Sequence, residues 1–289
     1  MRPFEYLAPK DLDEACSLLS KHRDEAKILS GGQSLVALLR QRLVSPAYVI
    51  DIRRVPGLDY IREDKDGLSI GALTTHRTVE TSPAVAKRFP MLVEAEHRLA
   101  HRQVRNWGTI GGNLSHADPG GDLAPSLIAL GAVIKVVSAK GKRTVPVAEF
   151  FTDYLVTVLE PDEILVEVAI PYLKAGSGGA YHKESIRAGD RPIAAVAAVV
   201  SLDGKAGVIK SARIALGGVG LTPLEAKEAG KSLVGKKATA GVVLEAGAIA
   251  AREAQPTADV EGSVEYKRHI VGLLTRDMLN LALTRAQSK

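Results

Sequence analysis

Apolar positions near the start of the chain follow two different periods. Leu12, Ala15, Cys16 and Leu19 recur at i, i+3, i+4 and i+7 behind Asp11, with Glu14 at capping-box spacing, which predicts a helix that buries Cys16. Residues 26–29 then form a short apolar run ending in Ser30-Gly31-Gly32-Gln33-Ser34, after which Leu35, Leu38, Leu39 and Leu43 return to helical spacing. A second run at 48–52 follows Pro46, so residues 1–55 are expected to form a βαβ layer with parallel strands. Beyond Leu58 the texture changes to short alternating strands such as 68–73, a helix around 83–100, and a long segment, 101–122, with little periodicity. A helix at 123–132, strands at 132–139 and 143–148, and a strand at 164–170 closed by Pro171 complete a middle unit, 56–175. The glycine-rich stretch 174–179 marks a boundary. The third unit, 178–289, offers strands at 179–187, 193–202 and 207–216, with an Asp203-Gly204 hairpin signal, and helices at 222–230, 237–253 and 263–285.

Composition narrows the functional classes. A chain of 289 residues with 46% hydrophobic and 25% charged residues is an ordinary globular sequence. The apolar run Ala194 to Val200 is far shorter than the roughly 18–20 residues that span a bilayer, and the apolar stretch at 127–137 is broken by Lys135, so no transmembrane helix is expected. Pro3, Glu5, Asp11 and Asp13 occupy the place of a signal peptide's apolar region, which points to the cytoplasm. The formal charge of +5 is spread through interleaved signs and aromatics are only 4%, an unsuitable footprint for nucleic acid. Cys16 is the single cysteine, so this chain alone holds no disulfide, cysteine zinc site or iron–sulfur cluster, and redox chemistry would need a bound organic cofactor.

Two glycine pairs carry the candidate chemistry. Gly31-Gly32 lies where a strand meets a helix, where backbone N–H groups can converge on an anion, although such turns are also common as structure. No Lys-Ser/Thr follows and no G-x-G-x-x-G is present, so this is neither a Walker A loop nor a Rossmann fingerprint. Gly111-Gly112 sits in the long segment and is followed by Asn113, His116, Asp118 and Asp122, where a backbone could approach a ligand; the plainer reading is a tight turn with Asp122 capping the next helix. Ser34 lacks the nucleophile-elbow context of a hydrolase, and His97 and His101, at metal-ligand spacing, lack the H-E-x-x-H glutamate and stand beside Arg98 and Arg102.

The residues Ser30-Gly31-Gly32-Gln33-Ser34-Leu35, Leu43-Val44-Ser45-Pro46, Ile50-Asp51-Ile52 and the run from Gln103 through Thr109-Ile110-Gly111-Gly112-Asn113 to His116-x-Asp118-Pro119 resemble the FAD-binding medium subunit of molybdenum hydroxylases. That family includes the aerobic carbon monoxide dehydrogenase medium subunit and the flavin domain of xanthine dehydrogenase. The resemblance continues through Pro161 to Leu165, Tyr181-x-Lys183 and Ile214 to Gly217. It implies an α+β fold of the vanillyl-alcohol-oxidase (PCMH) type, with a two-part FAD-binding domain followed by a C-terminal α+β domain built on a three-stranded antiparallel sheet. By the same resemblance, Ser30 to Ser34 and Thr109 to Asn113, Ile110 included, cradle the pyrophosphate and ribityl portion through backbone N–H groups and the Ser34, Thr109 and Asn113 side chains. Leu35, His116 and Asp118 join the cofactor-binding set, Asp122 is an acidic FAD contact, Leu165 lies against the cofactor, Tyr181 neighbours the ring, and Lys183 places charge near the flavin, favouring its anionic reduced form. No catalytic residue and no metal ligand is implied in this chain.

The implied activity is electron transfer. Electrons from a molybdenum cofactor in a large subunit pass through two [2Fe–2S] clusters in a small subunit to FAD, and then to quinone, oxygen or NAD. The implied assembly is a dimer of heterotrimers, cytoplasmic, with association at the inner face of the membrane through the complex left open. The single cysteine is consistent with clusters held elsewhere, and it argues against the benzoyl-CoA-reductase branch, whose equivalent subunit carries a cysteine-rich loop. Within the family the carbon monoxide dehydrogenase-like group is favoured; aldehyde, N-heteroaromatic and purine dehydrogenases stay open, as does a stand-alone flavin oxidoreductase of the same fold. A binding module that has lost FAD is disfavoured by the intact glycine pairs. Two positions depart from the family pattern: Trp107, where a basic or small residue is expected, and Ser30, in place of Ala or Gly.

Overall fold

The computed structural model describes residues 1–204 and 207–288. The first layer runs β1 (Glu5–Leu7), α1 (Leu12–His22), β2 (Ala26–Leu29), α2 (Leu35–Gln41) and β3 (Tyr48–Asp51), with its strands in the order β1-β3-β2 and all parallel. Asp11 caps α1 by accepting from Glu14 N–H at 2.8 Å, while the Glu14 carboxylate reaches back to Lys10 N–H at 2.9 Å. Ala15, Cys16 and Leu19 are buried as the spacing requires, and burial pushes the Cys16 thiol up, away from reactivity. Strand β1 has no sequence signal: it is three residues long and mostly exposed. What holds it is tertiary. The Tyr6 hydroxyl donates to Asp51 at 2.5 Å, and the Arg53 guanidinium forks onto both oxygens of the same carboxylate at 2.6 to 3.1 Å.

Burial alone would raise the Asp51 carboxyl, but the Arg53 fork and the Tyr6 hydroxyl outweigh it, and the group lies below its ordinary value. A depressed folded-state value contributes stability above the unfolded carboxylate pKa, and that contribution is lost as pH falls through the folded value. Acid unfolding of Asp51→Asn, followed by circular dichroism, is therefore expected to depend less on pH below about pH 4 than the parent chain does. Identical acid profiles would remove Asp51 from that balance.

The middle unit contains β4 (Ile61–Glu63), β5 (Gly67–Gly71), α3 (His76–Thr81), α4 (Pro83–Arg88), α5 (Pro90–Arg98), α6 (Arg102–Arg105), α7 (Ile110–His116), α8 (Leu123–Leu130), β6 (Val133–Ser138), β7 (Gly141–Pro146), β8 (Phe151–Asp153), β9 (Val156–Thr157) and β10 (Ile164–Pro171). Its main sheet has the order β4-β5-β10-β6-β7, antiparallel throughout. Leu68, Ile70, Ile134, Val136, Val168 and Ile170 bury one face of this sheet in a core shared with α5 and α8. The helix expected over 83–100 is two helices, because Pro90 disfavours helical geometry at Phe89, which takes φ −135° and ψ 65°. The segment 101–122, expected to be irregular, contains α6 and α7; two adjacent glycines hide α7 from any propensity argument.

The third unit comprises β11 (Ser177–Glu184), β12 (Ala194–Asp203), β13 (Val208–Gly217), β14 (Leu224–Glu225), α9 (Lys227–Leu233), α10 (Ala240–Glu253) and α11 (Val264–Gln287). The expected three-stranded sheet gains β14 as a fourth strand, so the helix read from residue 222 begins at Lys227. Strands β12 and β13 pair as the Asp203-Gly204 signal suggests, but residues 205 and 206 of that connection lie outside the described residues. The unbroken apolar run in β12 has a physical cause. Ala195, Ala197 and Val199 pack into the middle unit's core, while Ala194, Val196, Ala198 and Val200 pack beneath α10 and α11. Among the described residues no helix is long and apolar enough to cross a membrane.

Candidate cofactor-binding site

Strand β2 ends at Leu29, whose carbonyl accepts from Ile52 N–H at 3.0 Å, and the chain then turns through Ser30 to Ser34 before α2 begins. Among the described residues no acceptor meets the N–H groups of Gly31, Gly32, Gln33 and Ser34. A second turn, at Trp107-Gly108-Thr109, lies directly against the first. A Cβ on Gly31 would fall onto the Trp107 carbonyl and sit 2.7 Å from Gly108 Cα, so only glycine permits this approach of two backbones. The Ser30 and Thr109 hydroxyls meet at 2.7 Å and lock the turns together. Ser30 is thus a working departure from the family pattern. Trp107 is likewise harmless to the loop, since its side chain is 62% exposed and only its backbone takes part in the contact.

Together the turns open a groove of about 460 Å³. Of the residues singled out in the sequence, Ser30, Gly31, Gly32, Gln33, Ser34, Leu35, Thr109, Gly111, Gly112, Asn113, His116 and Leu165 line it. Burial pushes the His116 imidazole down, which favours its neutral form. His76, Leu99, Val104, Leu155, Leu159 and Ile164 also line the groove. Sequence reasoning missed these six; they are scattered through the middle unit, and no spacing links them.

Ile110 does not line it: the side chain is fully buried in the middle core. The second glycine pair also works differently from the expectation. Ile110 N–H donates to Thr74 O, Gly111 N–H to Ala72 O, Gly112 N–H to the Thr109 hydroxyl that caps α7, and Asn113 N–H to Thr109 O, at 2.9 to 3.1 Å. These donors are committed, so the backbone of 110–113 is a packing device. A Cβ on Gly111 would lie 2.6 Å from Ala72 Cβ. The donors left free are the N–H groups of the first turn, and Asn113 also lines the groove.

The remaining expected residues form their own cluster, outside the residues that line the groove. Asp122 accepts from the Tyr181 hydroxyl at 2.7 Å and from the Lys183 ammonium at 2.9 Å, and Lys183 also donates to Asp190 O at 2.8 Å. All three side chains are nearly inaccessible. Burial pushes the Asp122 carboxyl up against the opposing pull of Lys183 and Tyr181, and burial beside Asp122 pushes the Tyr181 phenol well up. The Lys183 ammonium, expected to place charge near the flavin, is paired here with Asp122. Asp118 instead ties its loop, accepting from Gly120 N–H at 2.9 Å and from the Arg191 guanidinium at 2.5 Å.

A row of free N–H donors, an amide side chain and apolar walls from Leu35, Leu159, Ile164 and Leu165 suit an elongated ligand with an anionic middle and a flat ring, and FAD has that composition. Residues 2–173 match the family model described as the FAD binding domain in molybdopterin dehydrogenase, and residues 179–282 match the CO dehydrogenase flavoprotein C-terminal domain. The 6-hydroxypseudooxynicotine dehydrogenase complex subunit alpha of Paenarthrobacter nicotinovorans is 38% identical over 99% of this chain and 97% of its own length. The carbon monoxide dehydrogenase medium chain of Hydrogenophaga pseudoflava is 38% identical over 98% of both. Among solved structures, a carbon monoxide dehydrogenase from Hydrogenophaga pseudoflava lacking the Mo-pyranopterin moiety of its molybdenum cofactor superposes with a TM-score of 0.95 at 39% identity, covering 99% of each chain. Quinoline 2-oxidoreductase from Pseudomonas putida 86 gives 0.91 at 35% identity, covering 99% of this chain and 98% of that one. Fold, groove and relatives agree: this chain belongs to the family of FAD-binding, carbon monoxide dehydrogenase medium-chain-like subunits of molybdenum-containing dehydrogenases.

Proposed function

We propose that the chain is the electron-transfer subunit of a heterotrimeric molybdenum hydroxylase, set between a small subunit with two [2Fe–2S] clusters and an external acceptor, with the molybdenum cofactor in a large subunit. The observation that carries the reading is the juxtaposition of the free N–H groups of Gly31 to Ser34 with Thr109, Gly111, Gly112 and Asn113 in one groove. Bound FAD supplies the ability to exchange electrons both singly and in pairs. The protein's part is positional. Gly31, Gly32, Gln33 and Ser34 would hold the pyrophosphate, the Asn113 amide would bond the ribityl or phosphate oxygens, and Leu165 with its apolar neighbours would exclude water from the ring. Asp122, Tyr181 and Lys183 belong to the same proposal as a rigid, internally balanced polar cluster, and so does the division into units 1–55, 56–175 and 178–289. Location in the cytoplasm and assembly as a dimer of heterotrimers complete it.

A carbon monoxide dehydrogenase-like complex is favoured by the superposition on a carbon monoxide dehydrogenase chain, with a TM-score of 0.95 at 39% identity against 0.91 at 35% for quinoline 2-oxidoreductase. The test is an absorbance spectrum and subunit gel of the protein purified gently from its native host. The expected result is a flavin band near ~450 nm, iron–sulfur absorbance, and one large and one small co-purifying chain. Flavin with a single chain would replace this reading by a stand-alone oxidoreductase, and a colourless protein that refuses FAD would defeat both.

A further inference from the structure

Behind the groove wall stands a buried carboxyl group that hydrogen-bonds to no residue of the Asp122 cluster. Glu96 on α5 is fully buried, and its nearest charged or polar partner is His76, whose Nδ1 lies 3.3 Å from Oε1 and 3.1 Å from Oε2. Oε2 makes no aligned hydrogen bond. His76 opens α3, is itself only 2% exposed, and has its backbone fixed by N–H donation to Gly108 O at 2.9 Å. The far edge of its ring points toward the turn that faces Gly31: a methyl on Gly108 would meet Cδ2 at 3.0 Å and Nε2 at 3.5 Å. His76 lines the groove, and among the described residues nothing bonds Nε2.

Burial pushes the Glu96 carboxyl up and His76 pulls it back down, so a carboxylate wholly removed from water here depends on that one partner. Glu80 on α3 and Asp122 before α8 add further negative potential at Glu96. On the groove side stand Lys27, His116 and Glu163, the last held in a fork by Arg143 at 2.6 Å. A cofactor carrying phosphates would thus place negative charge on the second side of a ring already flanked by a carboxylate. We propose that Glu96 and His76 form a dyad of the cofactor site: Glu96 accepts from Nδ1–H and fixes the ring, and His76, carrying a proton on each nitrogen between that carboxylate and the cofactor's phosphates, donates Nε2–H to an anionic oxygen of FAD beside Gly108. His76 is the binding residue and Glu96 the positioning residue. This rests on the groove being the FAD site.

The test titrates FAD, read by flavin fluorescence, into the full chain stripped of cofactor. His76→Gln places an amide donor near the position of Nε2, whereas His76→Asn places one near Nδ1. The glutamine variant is expected to stay within about threefold of the parent, and the asparagine variant to bind about tenfold or more weakly, the range of one hydrogen bond with a charged partner. Glu96→Gln is expected to weaken FAD binding about tenfold in the parent background but little in the His76→Gln background, because the glutamine no longer depends on Glu96. A carboxylate with only a structural role would weaken both backgrounds alike and overturn the proposal, as would equal binding by the two His76 variants. Should substitutions prevent folding, a long-range nitrogen–proton NMR spectrum of the parent chain decides. The signal of the buried histidine is expected to move when FAD is added, and an unmoved signal refutes the contact. A parent chain that binds no FAD would instead remove the site reading itself, which separates the two failures.

Discussion

Alanine at Gly31 is expected to strip the chain of FAD while leaving its secondary structure intact. The added Cβ would sit on the Trp107 carbonyl and 2.7 Å from Gly108 Cα, and both obstacles are backbone. Neither can rotate aside, so the turns must separate by about 1 Å, and overpacking of this kind costs roughly 1–3 kcal/mol. That cost falls on the apposition of the two turns, which shapes the groove that Gly31 to Ser34 and Asn113 line. FAD per chain, from absorbance after gel filtration, is expected to fall to roughly a tenth or less, as a loss of about 1.4 kcal/mol or more implies. Gly32→Ala is the informative contrast. Its φ of +73° imposes a left-handed penalty, but the nearest atoms are side-chain carbons of Val36 and Leu29 at 3.2 and 3.3 Å, which can yield. That variant is expected to keep more FAD than Gly31→Ala. Stoichiometric FAD in Gly31→Ala would remove the paired turns from the site.

Lys183→Met is expected to be the most destabilising single change in the Asp122 cluster. It leaves the Asp122 carboxylate without its cation in a place almost closed to water, and it frees Asp190 O as well. Breaking one side of a buried ion pair costs about 3–5 kcal/mol, whereas removing both charges together is often close to neutral. For a chain of this size that amounts to a drop in Tm on the order of 10 °C. Asp122→Asn combined with Lys183→Met is expected to regain most of the loss, because the Tyr181 hydroxyl can still donate to the amide oxygen. A double variant no more stable than Lys183→Met alone would show that packing rather than charge balance dominates there.

The parts of the fold that could be read beforehand are those in which local pattern and burial agree. Helix α1 has its cap and buried stripe within one turn of each other, and β12 is apolar at every position facing either core. Strand β1 could not be read in that way, because Tyr6 earns its place through Asp51, forty-five residues away. The break between α4 and α5 was written in Phe89-Pro90, but a continuous apolar stripe across it masked the proline.

At the site, the two glycine pairs and the acidic and basic residues near them were legible as types and spacings, and the families of residue they resemble supplied the cofactor. Their division of labour was not legible. Both pairs look alike in sequence, yet one leaves its N–H groups free and the other commits them to Thr74, Ala72 and Thr109. Lys183 was visible as a charge, but its neutralising partner is sixty-one residues distant. His76 and Glu96 are twenty residues apart and carry no motif, so only packing brings them together.

By itself, then, the sequence determined the order of the elements, the three changes of texture along the chain and the presence of anion-capable turns, since each of these follows from periodicity and backbone freedom within a few residues. Which donors face the groove, which charges cancel, and which buried carboxylate stands behind the wall were decided by tertiary structure, because hydrogen bonding and burial pair atoms by distance in space.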